Sequence, residues 1–266
     1  MTEPASPEPP AELAQLAPGW EPVLAYRLVP GLTTWRLTSP TGAVRFAKVD
    51  ASGGHRFPSL LDEAERMVWA APHLPVPRVL ELAQLGAVSV LLTDALPGRD
   101  GTDPAWRHDR PGLVRALGRG LRAFHEAVDA SSCPFRFERQ RALEHVRPRI
   151  AADDVDPGGF HREHAHFTPA AALNRLEATA PATEDLVVCH GDYCPPNVLL
   201  TEGRVSGYVD LGELGVADRW WDVAVGAWSA GWNFGPEHEP LFYEGYRIAP
   251  DPARIGFYRL LYDLVS

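Results

Sequence analysis

The chain has 266 residues, 45% of them apolar and 9% aromatic, enough to bury a core in one large domain or two small lobes. A formal net charge of −10 and a pI near 5.4 disfavour nucleic acid and anionic membrane as partners, and suit a cationic small molecule if the acid is gathered in a cleft. Three cysteines, Cys133, Cys189 and Cys194, with no spaced pair, indicate neither a disulfide framework nor a four-ligand zinc site, and fit a cytoplasmic monomer.

The first twenty residues, MTEPASPEPPAELAQLAPGW, have no basic or apolar leader pattern and read as a mobile Pro-rich tail. Residues 22–49 read as strand-turn-strand, with PVLAYRLV and AVRFAKV as strands and PGLTT and SPTGA as turn formers, so a small antiparallel sheet is expected. SLLDEAERMVWAA then begins at an N-cap, Ser59, and aligns Leu60, Ala64, Met67, Val68 and Ala71 on one face; Glu63 lies nearer that face than Glu65. LPVPRVLEL and AVSVLLTDALPG supply two further strands, the second ending at Pro97-Gly98, a natural hinge. The expected division is an N-terminal lobe over 21–97 and a C-terminal lobe over 98–266. In the second lobe, 111–130 has the period of a core helix, with His125 in a structural role. AADDVDPGGFHREHAHFTP reads as a solvated loop with an acidic edge rather than a metal tract. Short strands DLVVC and VSGYVDL, the helical run RWWDVAVGAW and a C-terminal helix ARIGFYRLLYDLVS complete the chain.

The chemistry gathers around CHGDYCPPNVLL. Cys189, His190 and Cys194 lack the second pair a zinc tetrahedron needs, and Cys189 at the end of an apolar strand reads as a small core hydrophobe, not a nucleophile. His190-Gly191-Asp192 followed by Asn197 instead has the H-x-D-x-x-x-x-N spacing of a kinase loop, in which the aspartate accepts a hydroxyl proton and the asparagine holds a metal ion. Eighteen residues beyond Asp192, an apolar strand ends in Asp210-Leu211-Gly212, in the place of the Mg²⁺-binding aspartate of that mechanism. Upstream, Lys48 ends a strand and Glu63 follows fifteen residues later on a helix, as an ion pair that orients nucleotide phosphates requires. Of 25 basic residues, 24 are arginine, and Lys48 alone keeps an ammonium, a compact point charge rather than a planar fork. No P-loop and no G-x-G-x-x-G is present, so PGLTTW, with Gly31, Thr33 and Thr34, is the phosphate-covering turn.

On LPVPRVL, AFHEAVDASSCPF, CHGDYCPPNVLL, GRVSGYVDLGELGVADRWWDVAV and PDPARIGFYRLLYDL, in this order, the sequence resembles the aminoglycoside phosphotransferases, in the 3′-phosphotransferase branch, over residues 22–265. The resemblance implies an α+β, two-lobed protein-kinase-like fold: a small antiparallel-sheet lobe that binds nucleotide and a larger, mainly helical lobe for catalysis and acceptor binding. It implies ATP or GTP and Mg²⁺ as cofactors and phosphorylation of an antibiotic hydroxyl. Asp192 becomes the catalytic base, Asn197 and Asp210 the Mg²⁺ ligands, and Lys48 with Glu63 the phosphate-orienting pair. Phe46 stacks on the nucleotide base and the backbone from Asp94 to Leu96 reads its edge.

The acceptor side departs from that pattern. Glu213 stands where the family has arginine, Trp232 and Asn233 where it has an acidic pair, and Gly158, Gly159 and His161 where mid-lobe acids fall; Asp263 matches. Glu213, Asp153, Asp154, Asp156 and Glu163 are the carboxylates that would compensate, and Trp232 is the aromatic expected to face the acceptor. Asp218 and Asp222 read as braces of the catalytic loop and cap of the next helix. Two other readings follow from the departures: a kinase for a different small-molecule hydroxyl, and a nucleotide-binding regulator without turnover.

Overall fold

The structure, a computed structural model, describes residues 8–29, 31–52 and 58–265, which divide into two compact units after Pro97. The first contains α1 (Ala11–Leu16), β1 (Glu21–Val29), β2 (Leu32–Thr38), β3 (Val44–Asp50), α2 (Leu60–Ala70), β4 (Val79–Leu85) and β5 (Val88–Asp94). Its five strands form one antiparallel sheet in the order β1-β2-β3-β5-β4. Strand alternation in β3 sends Ala47 and Val49 to one face, into a core with Trp35, Leu37, Val90 and Leu92, and sends Phe46 and Lys48 to the other. β5 is buried from Val90 to Thr93, as a central strand packed on by α1 and α2 must be.

Three expectations for this unit need correction. The segment expected to be a mobile tail is ordered from Pro10 onward: Leu13 and Ala17 are 3% exposed in the sheet core, because the apolar residues of AELAQLA suffice to cover a sheet face that would otherwise be wet. Residues 1–7 lie outside the described residues. PGLTTW is turn only at its start: Gly31, with φ of +87°, lies in a turn, whereas Leu32 to Trp35 belong to β2, where threonine and tryptophan suit a pleated, half-buried surface, and Pro30 is outside the described residues. α2 begins at Ser59 in a capping box with Asp62, as the sequence indicates, but its buried face is Leu60, Glu63, Ala64, Met67 and Ala70; Val68 is exposed.

The second unit contains β6 (Arg99–Asp100), α3 (Arg110–Glu126), α4 (Arg139–Ala151), α5 (Pro169–Thr179), β7 (Leu186–Cys189), β8 (Val198–Thr201), β9 (Arg204–Tyr208), β10 (Gly215–Asp218), α6 (Trp220–Phe234), α7 (Glu239–Tyr246) and α8 (Pro252–Val265). β6-β8-β9 and β7-β10 are two small antiparallel ribbons set among helices. Leu113, Leu117, Leu121 and Phe124 of α3 are buried as their spacing requires. α6, buried from Trp220 to Gly231, packs against α3, α7 and α8 and is the axis of this unit. Among the described residues no helix is long and apolar enough to cross a membrane.

Candidate active site

In the first unit, Lys48 and Glu63 meet as expected: Nζ donates to Oε1 at 2.7 Å and to Oε2 at 2.8 Å. The carboxylate is 6% exposed and its helix is fixed by the capping box one turn earlier, so the ammonium is held in one place. Thr34 lies directly across from Lys48 in the β2–β3 register and shares its face. Thr33 pairs with Val49 on the opposite face, where its hydroxyl accepts from Trp35 Nε1 at 2.9 Å. The two threonines expected to act together are thus divided by the pleat. Phe46, half-buried, precedes Lys48 on the same face. Asp94 ends β5 with its carboxylate accepting from the Arg78 amide at 2.6 Å and its own amide donating to the Arg78 carbonyl at 3.1 Å, which leaves Leu96, in the coil beyond, for the expected hinge role.

In the second unit the 190–197 loop leaves β7 through Gly191, whose φ is +92° and where a Cβ would lie 2.4 Å from Glu213 Cβ, so glycine alone fits. Asp222, fully buried at the start of α6, accepts from the amides of His190 at 2.6 Å and Gly191 at 3.0 Å. His125 Nε2 meets the same carboxylate at 3.0 Å, with Tyr246 OH at 2.8 Å from its Nδ1. Trp221 Nε1 donates to the Gly191 carbonyl at 2.7 Å. Asp222 thus braces the loop, while Asp218 accepts from the Trp220 amide at 3.0 Å and binds Arg254 at 2.6 Å. His190 Nε2 donates to the Val209 carbonyl at 3.1 Å, which leaves Nδ1 to accept from the Asp192 amide at 3.3 Å. One imidazole therefore joins the loop to the chain just before Asp210.

Asp192 is held at both oxygens: Asn197 Nδ2 donates to Oδ2 at 2.9 Å and Tyr262 OH to Oδ1 at 3.0 Å. Nδ2 also reaches the Asp192 carbonyl at 3.0 Å, which fixes the amide orientation and turns Asn197 Oδ1 away as an acceptor. Burial, and then the charge of Asp210, push the Asp192 carboxyl above the ordinary range, against the smaller opposing effects of His190, Tyr262 and Asn197. Asp210 is exposed and has φ of +63°, an unfavourable backbone state for a residue with a Cβ, two residues past the end of β9 rather than on a strand. The field that raises Asp192 is one that a divalent cation would relieve, and Asn197 Oδ1 with the Asp210 carboxylate is the hard oxygen set such a cation takes.

Neither cysteine of the loop is a nucleophile. Burial pushes the Cys189 thiol well up, with Asp222 and Asp218 adding to it, and burial and Asp192 do the same at Cys194. His125, Cys189 and Asp222 bring ligand atoms within 4.8 Å of one another, but the carboxylate already accepts three hydrogen bonds, two of them from the loop amides, so the cluster braces the loop.

Of the acceptor candidates, Glu163, Trp232 and Asp263 come together. Asp263 on α8, 7% exposed at its side chain, accepts from the His161 amide at 3.0 Å and contacts His164 Nδ1 at 2.5 Å. His161 stacks on Trp232, and Trp228 Nε1 lies 3.4 Å from Glu163 Oε1. Glu213 is half-buried against Gly191. Asp156 caps its own loop through the Gly158 amide at 2.8 Å, and Asn233 bonds back to the Ser229 carbonyl at 2.8 Å, so both are committed locally. Asp153 and Asp154 are exposed, the latter near Arg149 at 3.8 Å. The sequence reading missed Tyr262, although it adjoins Asp263, and it missed that the i, i+3 spacing of His161 and His164 suits a single carboxylate.

Residues 31–259 match the family model described as the phosphotransferase enzyme family. The chain is 38% identical over 210 residues to an aminoglycoside 3′-phosphotransferase of Streptomyces fradiae, covering 76% of this chain and 78% of that protein. It is similar to the crystal structure of an aminoglycoside 3′-phosphotransferase of type VIII, with a TM-score of 0.82 and 34% identity over 95% of this chain and 96% of the other. A second similar structure is an aminoglycoside phosphotransferase of Streptomyces rimosus in complex with ADP and streptomycin, with a TM-score of 0.74 and 28% identity over 96% of each chain. A five-stranded antiparallel sheet unit, a helical unit and matches over most of the length agree, and the chain belongs to the phosphotransferase enzyme family, with the kinase-like fold of the aminoglycoside phosphotransferases.

Proposed function

We propose that this protein transfers the γ-phosphoryl group of ATP, or GTP, to a hydroxyl of an aminoglycoside antibiotic, at the 3′ position of the relatives, and so inactivates the drug. The observation that carries this reading is Asp192, fixed at both oxygens by Asn197 and Tyr262 beside Asp210. The acceptor oxygen forms the new bond to phosphorus as the bond to the leaving diphosphate oxygen breaks, with its electron pair staying on the diphosphate and the hydroxyl proton passing to Asp192. Lys48, positioned by Glu63, orients the phosphates, Phe46 stacks on the base and the coil at Leu96 meets its edge. Mg²⁺, with Asn197 and Asp210 as ligands, supplies neutralisation of phosphate charge when bound. Little covalent work falls to the protein in a loose transition state, so positioning dominates. Three free cysteines and a nucleoside triphosphate donor support a cytoplasmic setting, and a full set of roles on one chain supports a monomer.

Asp192→Asn keeps the hydrogen bond to Tyr262 possible and removes the proton acceptor. It should bind nucleotide normally and lose turnover about a thousandfold. Near-full kcat in that variant, measured by coupled ADP release with kanamycin as acceptor, would refute the assignment.

A further inference from the structure

Trp232 is 45% exposed, yet it is held as firmly as a core residue. One face of its indole stacks on His161, with ring centroids 4.9 Å apart and an interplanar angle of 26°. Trp228, fully buried, touches it at 4.4 Å and meets His161 edge-on at 4.5 Å and 73°. His161 cannot swing away: its amide is tied to Asp263 and its Nδ1 accepts from the Glu163 amide at 3.3 Å. Behind Trp228, the Arg259 guanidinium lies 5.3 Å from the ring centroid and is itself bound to Glu239. The exposure that remains on Trp232 is therefore its second face. Asp263, which holds His161, directly follows Tyr262 on α8, and Tyr262 OH donates to Asp192 Oδ1 at 3.0 Å.

Of the carboxylates nearby, Asp263 is engaged and Glu163 is exposed. Asp263 receives two donors from the histidine loop and Glu163 lies against Trp228 Nε1. Beside this platform, Asn233 helps line a pocket of about 210 Å³ in which two cations, Arg107 and Arg110, face one acid, Asp103. An acceptor here meets a rigid aromatic face with one exposed carboxylate, Glu163, beside it.

We propose that Trp232, backed by His161 and Trp228, is a stacking platform for the acceptor, and that it selects aminoglycosides presenting the carbon–hydrogen face of a sugar ring rather than those richest in ammonium groups. This rests on the phosphotransferase reading above. Because the platform is preorganised, stacking costs little ordering and its loss appears as weaker acceptor binding.

The test is steady-state kinetics of the full chain with Mg-ATP and two acceptors, kanamycin and neomycin, for the unaltered enzyme, Trp232→Ala and Trp232→Phe. Trp232→Ala should raise the acceptor KM about five- to tenfold with the ATP KM unchanged, and Trp232→Phe should stay within about threefold. Acceptor-induced quenching of tryptophan fluorescence should be present in the unaltered enzyme and reduced in Trp232→Phe. An unchanged acceptor KM in Trp232→Ala, with the unaltered enzyme active, would overturn the platform and leave the reaction standing. No turnover of either compound by the unaltered enzyme would overturn the reaction and the platform with it.

Discussion

Lys48 shows what one side chain has to be. A chain in which 24 of 25 basic residues are arginine keeps lysine where its ammonium meets both oxygens of Glu63, at 2.7 and 2.8 Å, from the middle of a strand. A guanidinium is longer and planar, so it would keep the ion pair but carry its charge past the point at which Nζ sits. Lys48→Arg should fold, by circular dichroism, and lose on the order of a hundredfold in kcat/KM for nucleotide, as a displacement of the positioning charge predicts; an undiminished value would mean that the position needs only a cation. At this scale the sequence is informative when the contact is local. Asp192 and Asn197 lie in one loop and are joined by two hydrogen bonds, so their spacing betrays them. Tyr262, 70 residues from Asp192, and His125, 97 from Asp222, reach the same loop only through the packing of α3, α6 and α8, and no spacing in the chain records that.

Elements with their own punctuation are legible, and those that borrow their stability are not. α2 carries a full capping box at Ser59 and α3 a regular apolar stripe, and both stand close to where the sequence puts them. β2 is hidden because Gly31 and two threonines resemble a turn until the strands on either side pair with it. α4 is arginine-rich, contains Pro148 and buries only Ala142, Leu143 and Val146, so its helical form owes more to its neighbours than to its pattern. The capping box can be tested as an element. Ser59→Ala should cost about 1 kcal/mol and raise the nucleotide KM, since α2 carries Glu63. Asp62 is held below the ordinary carboxylate pKa: burial alone would raise it, but the Ser59 hydroxyl and amide and Arg66 together outweigh burial. A depressed folded pKa means the contribution is full above the unfolded value and is lost as pH falls through the folded one. The stability difference between the parent and Ser59→Ala, measured by urea unfolding, should therefore be constant at neutral pH and shrink only on acidification through the Asp62 titration. A difference that shrank instead on raising the pH would show that the box is not what Ser59 contributes.

For the whole molecule the same roles fall to two units: Lys48 and Glu63 belong to the first, Asp192, Asn197 and Asp210 to the second. Acid gathers around the catalytic loop, since Asp210 raises Asp192, and Asp192 and Glu213 add to the burial that raises Tyr262. A ligand that binds only the native state stabilises it by mass action, about 2.7 kcal/mol at a hundred times its Kd. For a chain of this size that corresponds to a rise in Tm of about 5–10 °C. Mg-ATP should give that shift, and ATP with excess chelator should give only a small part of it, because phosphate charge then meets Asp192 and Asp210 without the cation that reconciles them. Asp210→Asn should narrow the gap between the two melting curves, while Lys48→Arg should lower both by a similar amount. Equal shifts with and without chelator in the unaltered protein would overturn the proposed role of Asn197 and Asp210, the latter at φ of +63°, as metal ligands.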